Sequence, residues 1–403
     1  MRTVLVTGPG GAGRTTAAAA TALAGSRRGD RTLLITAGPV PGLPAQAVPT
    51  PVTDTLDCVT VDSGTHFRAE LLALQEKLSG LLGLLGGNPL DGEELTELPG
   101  STELALLHTL RRAARGDWSR PGYDLLVVDL PPLREALALL ALPERLRRYL
   151  RRLLPQERQA ARALRPMLAQ LAGVPAPAQW LYETAARRDA ELAEVQALIE
   201  DRATTLRLVA EPGPAAEDAL RTARTGLALH GLRVDALLAN RVLPRHSADP
   251  WFAALAAQQD KTLGRWDAEP PAGAAAVRLP HLGRDPRGAE DLAALDAPAP
   301  DRREEGRAED PWWIEEAAGT EGAEGSAGAD GILVWCLRLP GAVKTDLQLV
   351  RRGGELLLTV GAFHRIVPLE SALRRCTVAG AALTDGVLRV RFVPDPELWP
   401  RTG

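Results

Sequence analysis

Lysine is scarce in this 403-residue chain: Lys77, Lys261 and Lys344 are the only ones among 47 basic residues, the remainder being arginine. Such a skew follows genomic base composition, so a single exchange of Lys for Arg says less here than elsewhere. Cysteine is almost as rare. Cys58, Cys336 and Cys376 are scattered and never form a C-x-x-C pair, which excludes a disulfide framework and argues against a Cys-rich zinc site. The six histidines are isolated and match no metal spacing or catalytic triad. No stretch approaches the roughly 20 uncharged apolar residues of a membrane span, and only "VLV" precedes the first glycines, too short for a signal peptide. The expectation is a cytoplasmic protein with no integral membrane segment. A net charge of -4 with mixed signs gives no pull toward nucleic acid or an anionic membrane.

What is present is a regular alternation over the first 296 residues. "RTVLVT" (2–7), "RTLLIT" (31–36), "YDLLVVD" (123–129), "TLRLVA" (205–210) and "VDALLAN" (234–240) are near-continuous apolar runs, as parallel strands covered on both faces require. Helical patterns separate them, which predicts a doubly wound α/β domain. Two helical stretches, about 67–115 and 143–202, are too long for simple crossovers and predict a helical lobe. Within them the Leu-rich run 71–87 reads as core packing or as a client groove. "ERLRRYLRRLL" (144–154) sets Leu146, Leu150, Leu153 and Leu154 on one face, among arginines; it reads as a solvated helix with its apolar face on the core, or as a surface for an anionic membrane or an acidic partner. Residues 297–331, rich in Pro, Gly, Ala and Glu, read as a flexible linker, apart from "PWWI" (311–314), which is too apolar to stay in water and is expected to dock. From 332 to 394 the period becomes two. Leu333, Trp335, Leu337 and Leu339 share one face, as do Leu388, Val390 and Phe392, and "RRGGE" (351–355) reads as a hairpin turn. This predicts a small antiparallel β-sandwich followed by a tail, 395–403.

Residues 7–16, "TGPGGAGRTT", carry the chemistry. Gly8, Pro9, Gly10, Gly11, Ala12, Gly13, Arg14 and Thr15 fit the frame G-x-x-x-x-G-K-[ST] between a strand and an Ala-rich helix. In that frame backbone N–H groups close around phosphates, a Lys reaches their outer oxygens and a hydroxyl holds magnesium. Arg14 stands where the Lys belongs, and its broad planar fork does not reproduce a compact ammonium. Pro9 removes one N–H from the cradle. Gly8, Gly10 and Gly13 also spell G-x-G-x-x-G, but "ITAGPV" offers no acidic residue for a ribose. Nor is Tyr123, Tyr149 or Tyr182 followed four residues later by Lys: Val127, Leu153 and Ala186 stand there. A short-chain dehydrogenase is thereby set aside.

Several landmarks then fall into one order: the loop, "ELPGSTELALL" (97–107), "YDLLVVDLPP" (123–132), "LLALPE" (139–144), "ANRVLP" (239–244) and "RLPHLGRDPRG" (278–288). The set resembles the arsenite-pump (ArsA) and tail-anchored-protein-targeting (Get pathway) ATPases. The segment from "LRLPGAVK" to "GVLRVRF" resembles the α-crystallin-like, small heat-shock domain that some members carry. The resemblance implies a P-loop NTPase-like α/β fold with a deviant Walker A motif and a helical subdomain, plus a C-terminal antiparallel β-sandwich of α-crystallin type. It also implies a dimer closed around two nucleotides.

Against that family three catalytic positions differ. The Lys that reaches across the dimer falls on Pro9, the acidic residue of the first switch falls on Gly38, and the P-loop Lys falls on Arg14. The second switch reads "DLPPLRE", keeping only Asp129, and the zinc-binding Cys pair of some members is absent. Because phosphoryl transfer rests on positioning and charge stabilisation, this implies a pseudo-ATPase whose hydrolysis is lost or very weak. The expected binding set is Gly8, Gly10, Gly11, Ala12, Gly13, Arg14, Thr15, Thr16 and Asp129, with Thr15 on magnesium and Asn240 on adenine. ATP or ADP with Mg is the expected ligand, weakly held or absent; no zinc is expected. Three readings stay open: a loop that only joins strand to helix, nucleotide binding without turnover, and a slow ATPase in which an Arg of 144–154 replaces the missing cation. Expected partners are a second copy or an active relative, and hydrophobic polypeptide clients.

Overall fold

The computed structural model describes all residues except 85–87, 119–121, 155–177, 246–247, 304, 317–331 and 399–403. The chain forms two compact units: Met1–Pro212, Asp235–Asp260 and Ala276–Arg307 make one, and Gly213–Val234, Lys261–Ala275 and Ala308–Gly403 the other.

The first unit is built on an eight-stranded sheet in the order β3-β4-β2-β5-β1-β6-β7-β8. Its strands are β1 (Arg2–Thr7), β2 (Thr32–Thr36), β3 (Thr50–Thr53), β4 (Leu56–Thr60), β5 (Leu125–Asp129), β6 (Thr204–Ala210), β7 (Val234–Val242) and β8 (Ala276–Pro280). The pairs β1–β5, β1–β6, β2–β5, β2–β4 and β7–β8 are parallel, and β3 is an antiparallel edge on β4. The five apolar runs became β1, β2, β5, β6 and β7, and Val4, Leu5, Val6, Leu126 and Val127 are fully buried. α1 (Arg14–Arg27) lies on the sheet through an almost unbroken row of alanines, Ala17 to Ala20 and Ala22. Small residues are needed there: a Cβ on Gly25 would come 2.3 Å from the Leu125 side chain.

The helical lobe contains α2 (Ser63–Leu84), α3 (Ser101–Arg115), α4 (Leu133–Leu140), α5 (Leu142–Leu153) and α6 (Ala178–Glu200). Charge pairing holds much of it together. Arg147 and Arg151 of α5 both bind Asp189 of α6, at 3.2 and 3.3 Å, and Arg147 also donates to Gln196 at 2.7 Å. The apolar row of α5 is only partly covered, with Leu153 78% exposed. Leu72 and Leu74 of the Leu-rich run are exposed too, so core packing does not hold for them. Residues 155–177, inside the expected helical stretch, lie outside the described residues. Among the described residues no helix is long and apolar enough to cross a membrane.

The linker expectation needs correcting. Residues 298–301 are strapped to the sheet rather than free. Arg207 donates to Pro298 O (2.6 Å) and Arg2 to Asp301 O (3.0 Å), because these buried guanidiniums must satisfy more N–H groups than their carboxylate partner can accept. Farther on, β9 (Trp312–Glu316) is a strand, antiparallel to β10 (Leu333–Arg338). The "PWWI" expectation thus takes the form of sheet pairing, driven by Trp312 and Ile314 packing on the sandwich core. The rest of the linker, 317–331, lies outside the described residues.

The second unit holds two sheets, β14-β15-β10-β9 and β11-β12-β13. Their remaining strands are β11 (Leu347–Arg352), β12 (Glu355–Val360), β13 (Phe363–Pro368), β14 (Cys376–Thr384) and β15 (Val387–Pro394). "RRGGE" makes the β11–β12 turn. The core consists of Trp335, Leu337, Leu339, Leu388, Val390 and Phe392 with their neighbours, as the period-two pattern required. The helix α7 (Pro214–His230) joins this unit: Leu229 enters the same core, Arg365 donates to Leu229 O (2.8 Å) and Thr225 to Pro340 O (2.8 Å).

Candidate functional site: a P-loop with an altered charge set

The loop follows β1 and leads into α1, as glycine placement demands. Gly11 and Gly13 have φ of +77° and +83°, a conformation that side-chain-bearing residues rarely adopt. Gly8 passes so close to β6 that a Cβ would lie 1.8 Å from Val209 O, and a Cβ on Gly13 would lie 2.3 Å from Asn240 Nδ2. The loop is thus fitted to its surroundings, while Gly10 and Gly11 face open space: a Cβ on either would meet nothing within 4 Å.

Thr15 Oγ1 donates to Asp129 Oδ2 at 2.6 Å, linking the first residues of α1 to the end of β5. Asp129 is buried, and its second oxygen, Oδ1, has no hydrogen-bond partner. Burial pushes its carboxyl above the usual carboxylate range, against the Thr15 hydrogen bond and the Arg14 charge, which pull it down. An orphaned carboxylate oxygen beside a hydroxyl, at the mouth of a glycine cradle, fits a hard divalent cation carrying phosphate oxygens. Thr15, the residue expected on magnesium, is thus in hydrogen-bond contact with Asp129.

Arg14 is not aimed into the cradle: its Nη1 donates to Leu130 O. The switch segment is tied back to the loop by Leu133 N to Gly8 O (2.9 Å) and Thr7 Oγ1 to Pro131 O (2.8 Å). A Cβ on Gly38 would meet nothing within 4 Å, so packing does not require glycine there, and the position contributes no acid. Asn240 lies under the loop, its Nδ2 donating to Ala12 O at 2.9 Å. Beside it opens a cavity of about 220 Å³ lined by Gly13, Thr16, Asn240, Arg241, His281 and Arg287 among others. Reading the sequence did not single out Arg241, the bulged position after Asn240, although the register of β7 on β8 slips there.

Comparison with known proteins agrees with this geometry. The family model for the anion-transporting ATPase matches residues 1–297. The chain belongs to the anion-transporting ATPase (ArsA) family. A second model, the HSP20-like domain found in ArsA, matches residues 330–392. Among relatives, the chain is 55% identical to an uncharacterized protein of Streptomyces coelicolor over the full length of both, and 31% identical to a protein of Mycobacterium tuberculosis over 99% of this chain and 97% of that one. It is 24% identical to a putative arsenical pump-driving ATPase of Aquifex aeolicus, over 93% of this chain and 95% of that one. The part of this ArsA-family protein that matches the anion-transporting ATPase model includes the loop and Asp129, and the family implies nucleotide and magnesium binding in outline.

Proposed function

We propose that this ArsA-family protein binds nucleotide with magnesium but hydrolyses it very slowly or not at all, and serves as a binding or scaffolding protein. The observation that carries this reading is the Thr15–Asp129 corner with its orphaned Oδ1, present in a chain that has glycine, not an acid, at position 38. The amides of Gly10, Gly11, Ala12 and Gly13 would take the phosphates, Thr15 and Asp129 the magnesium, and Asn240 the base. Magnesium supplies neutralisation of the phosphate charge when bound. No side chain at position 38 orients a water for attack, and Arg14 spends a hydrogen bond on Leu130 O.

The partners in this reading are apolar polypeptide segments or a related ATPase, with a homodimer or a heterodimer in the cytoplasm. It is supported by an apolar surface on the helical lobe. Leu72, Leu74, Leu90, Leu98 and Leu104 are 39 to 61% exposed, and Gln75 joins α2 to the Leu90 segment through two hydrogen bonds, of 3.0 and 2.7 Å. Exposed leucines concentrated in one lobe give such segments apolar surface to meet.

The test pairs a thermal-shift titration with a phosphate-release assay on the full chain. The expected result is stabilisation by ATP that requires magnesium, with release below about 10⁻³ per second, the range of P-loop proteins lacking their activating groups. Sustained release above about 1 per second would overturn the loss of hydrolysis. No stabilisation at millimolar ATP would leave the loop as a structural connection.

A further inference from the structure

We propose that Arg241 is the cation that meets the phosphates of the bound nucleotide from within the same chain. The inference rests on the nucleotide-binding reading and assigns the charge that Pro9 and Arg14 do not supply.

The local structure is built to aim this side chain. The register of β7 on β8 shifts between Ala239 and Val242, a bulge of the kind that redirects side chains next to sites. Arg241 takes φ +55°, uncommon for a residue with a Cβ. Such local strain persists only when the surroundings enforce it, and here Gln259 does so. This buried side chain donates from Nε2 to Arg241 O (3.1 Å) and accepts at Oε1 from Leu243 N (2.9 Å), capping the backbone groups that the bulge frees. His281 N to Val242 O (2.9 Å) closes the far side. As a result, two successive side chains reach two successive carbonyls of the loop: Asn240 meets Ala12 O, and Arg241 Nη1 meets Gly11 O at 3.2 Å.

That placement puts a guanidinium one peptide from the amides that would cradle phosphate, and on the wall of the same cavity as Gly13 and Thr16. Two other arginines nearby are committed elsewhere, Arg14 to Leu130 O and Arg284 to Asp291 at 2.5 Å, while Arg287 shares the cavity wall. Arg241 is held lightly by comparison. Its partners are a neutral carbonyl and Glu211 at 3.4 Å, in a pair whose side chains are 43% and 50% exposed. Exposed pairs of this kind hold weakly, whereas a di- or triphosphate offers several charges and planar bidentate acceptors for a guanidinium. The structure thus pairs a cation in waiting with a weak parking contact.

The experiment is calorimetric titration of the full-length wild type and of Arg241→Ala, Arg241→Asn and Arg241→Lys with ATP, ADP, pyrophosphate and adenosine at two salt concentrations. The Asn variant keeps a residue that tolerates the left-handed backbone, so it reports on charge even where the Ala variant folds poorly. The expected result is a loss of tenfold or more for ATP, ADP and pyrophosphate in the Ala and Asn variants. Adenosine binding stays within twofold of wild type, the salt dependence becomes shallower, and Lys recovers part of the loss. Glu211→Gln, which frees Arg241, should bind ATP as tightly as wild type or a few-fold tighter. Wild-type affinity for ATP in the Ala and Asn variants overturns the assignment and leaves the nucleotide reading standing, and equal losses for ATP and adenosine overturn it in favour of a structural bulge. A wild-type chain that binds neither ATP nor pyrophosphate overturns both.

Discussion

Asp235 sits between two arginines on the central strands. Arg207 reaches it at 2.7 Å and Arg2 at 3.5 Å, and the three side chains are only 6% (Asp235), 3% (Arg207) and 6% (Arg2) exposed. Asp235→Asn keeps the shape and removes the only negative charge of this triad. At an effective dielectric constant near 20, a pair of unit charges about 4 Å apart is worth about 4 kcal/mol, and breaking a buried pair from one side typically costs about 3–5 kcal/mol. The lower end applies here, because both guanidiniums keep other acceptors: Thr205 Oγ1 and Asp301 O for Arg2, Thr21 Oγ1 and Pro298 O for Arg207. A loss of about 3 kcal/mol is a large part of a typical total of about 5–15 kcal/mol. In urea unfolding followed by far-UV circular dichroism it should lower the midpoint by about 1 M, given a slope near 3 kcal/mol/M for a unit of this size. The control is Asp260→Asn, whose partner Arg245 lies at 3.4 Å with both side chains well exposed; it should change stability by less than about 0.5 kcal/mol. If the two variants shifted the midpoint equally, the buried triad would not have the role assigned to it.

Three further outcomes follow from the geometry. Asp129→Asn should stabilise the ligand-free protein: the wild-type carboxyl is raised by burial, so its penalty is absent at acid pH, appears as the pH rises through the carboxylate range and stays constant above it; the difference in melting temperature between the two proteins should grow over that window, and magnesium-dependent stabilisation by ATP should vanish in the variant. Gly13→Ala should cost about 1–2 kcal/mol for the left-handed backbone alone, with more from the 2.3 Å approach to Asn240 Nδ2, seen as a lower urea midpoint with nucleotide binding lost. Trp312→Ala should destabilise the unit containing the β-sandwich by about 2 kcal/mol, below the about 3–5 kcal/mol of a fully buried Trp, because Trp312 is half-buried on Trp335 and stacks under Arg365 at 5.0 Å; a neutral result, read by near-UV circular dichroism during urea unfolding, would restore the linker reading of this segment.

Much of the fold was legible because its central strands are apolar on both faces and its sandwich strands on one. Strands β3, β4 and β8 were not, since "TPVT", "LDCVT" and "AVRLP" mix polar residues and proline into short runs at or near sheet edges. Trp312–Glu316 was legible as too apolar for water but not as a strand, since its partner β10 lies beyond a long polar segment. At the site, the glycines and Thr15 could be placed by motif spacing, Asp129 and Asn240 only through the family resemblance, and both of these residues lie against the loop or its helix. Arg241 and Gln259 could not be, because a bulge and its cap depend on tertiary register that no local pattern encodes; the adjacent "NR" in "ANRVLP" is the sole signal. The turning of Arg14 onto Leu130 O was equally invisible, since it depends on where the end of β5 lies relative to α1.

The central claim is that the altered loop still binds nucleotide while catalysis is lost. Calorimetric titration of the full chain with ATP and with ADP, in magnesium and in EDTA, with phosphate release followed in the same samples, tests it most directly. The account predicts micromolar, magnesium-dependent binding with release below about 10⁻³ per second. Absence of heat at millimolar nucleotide, or binding accompanied by sustained release above about 1 per second, would contradict it.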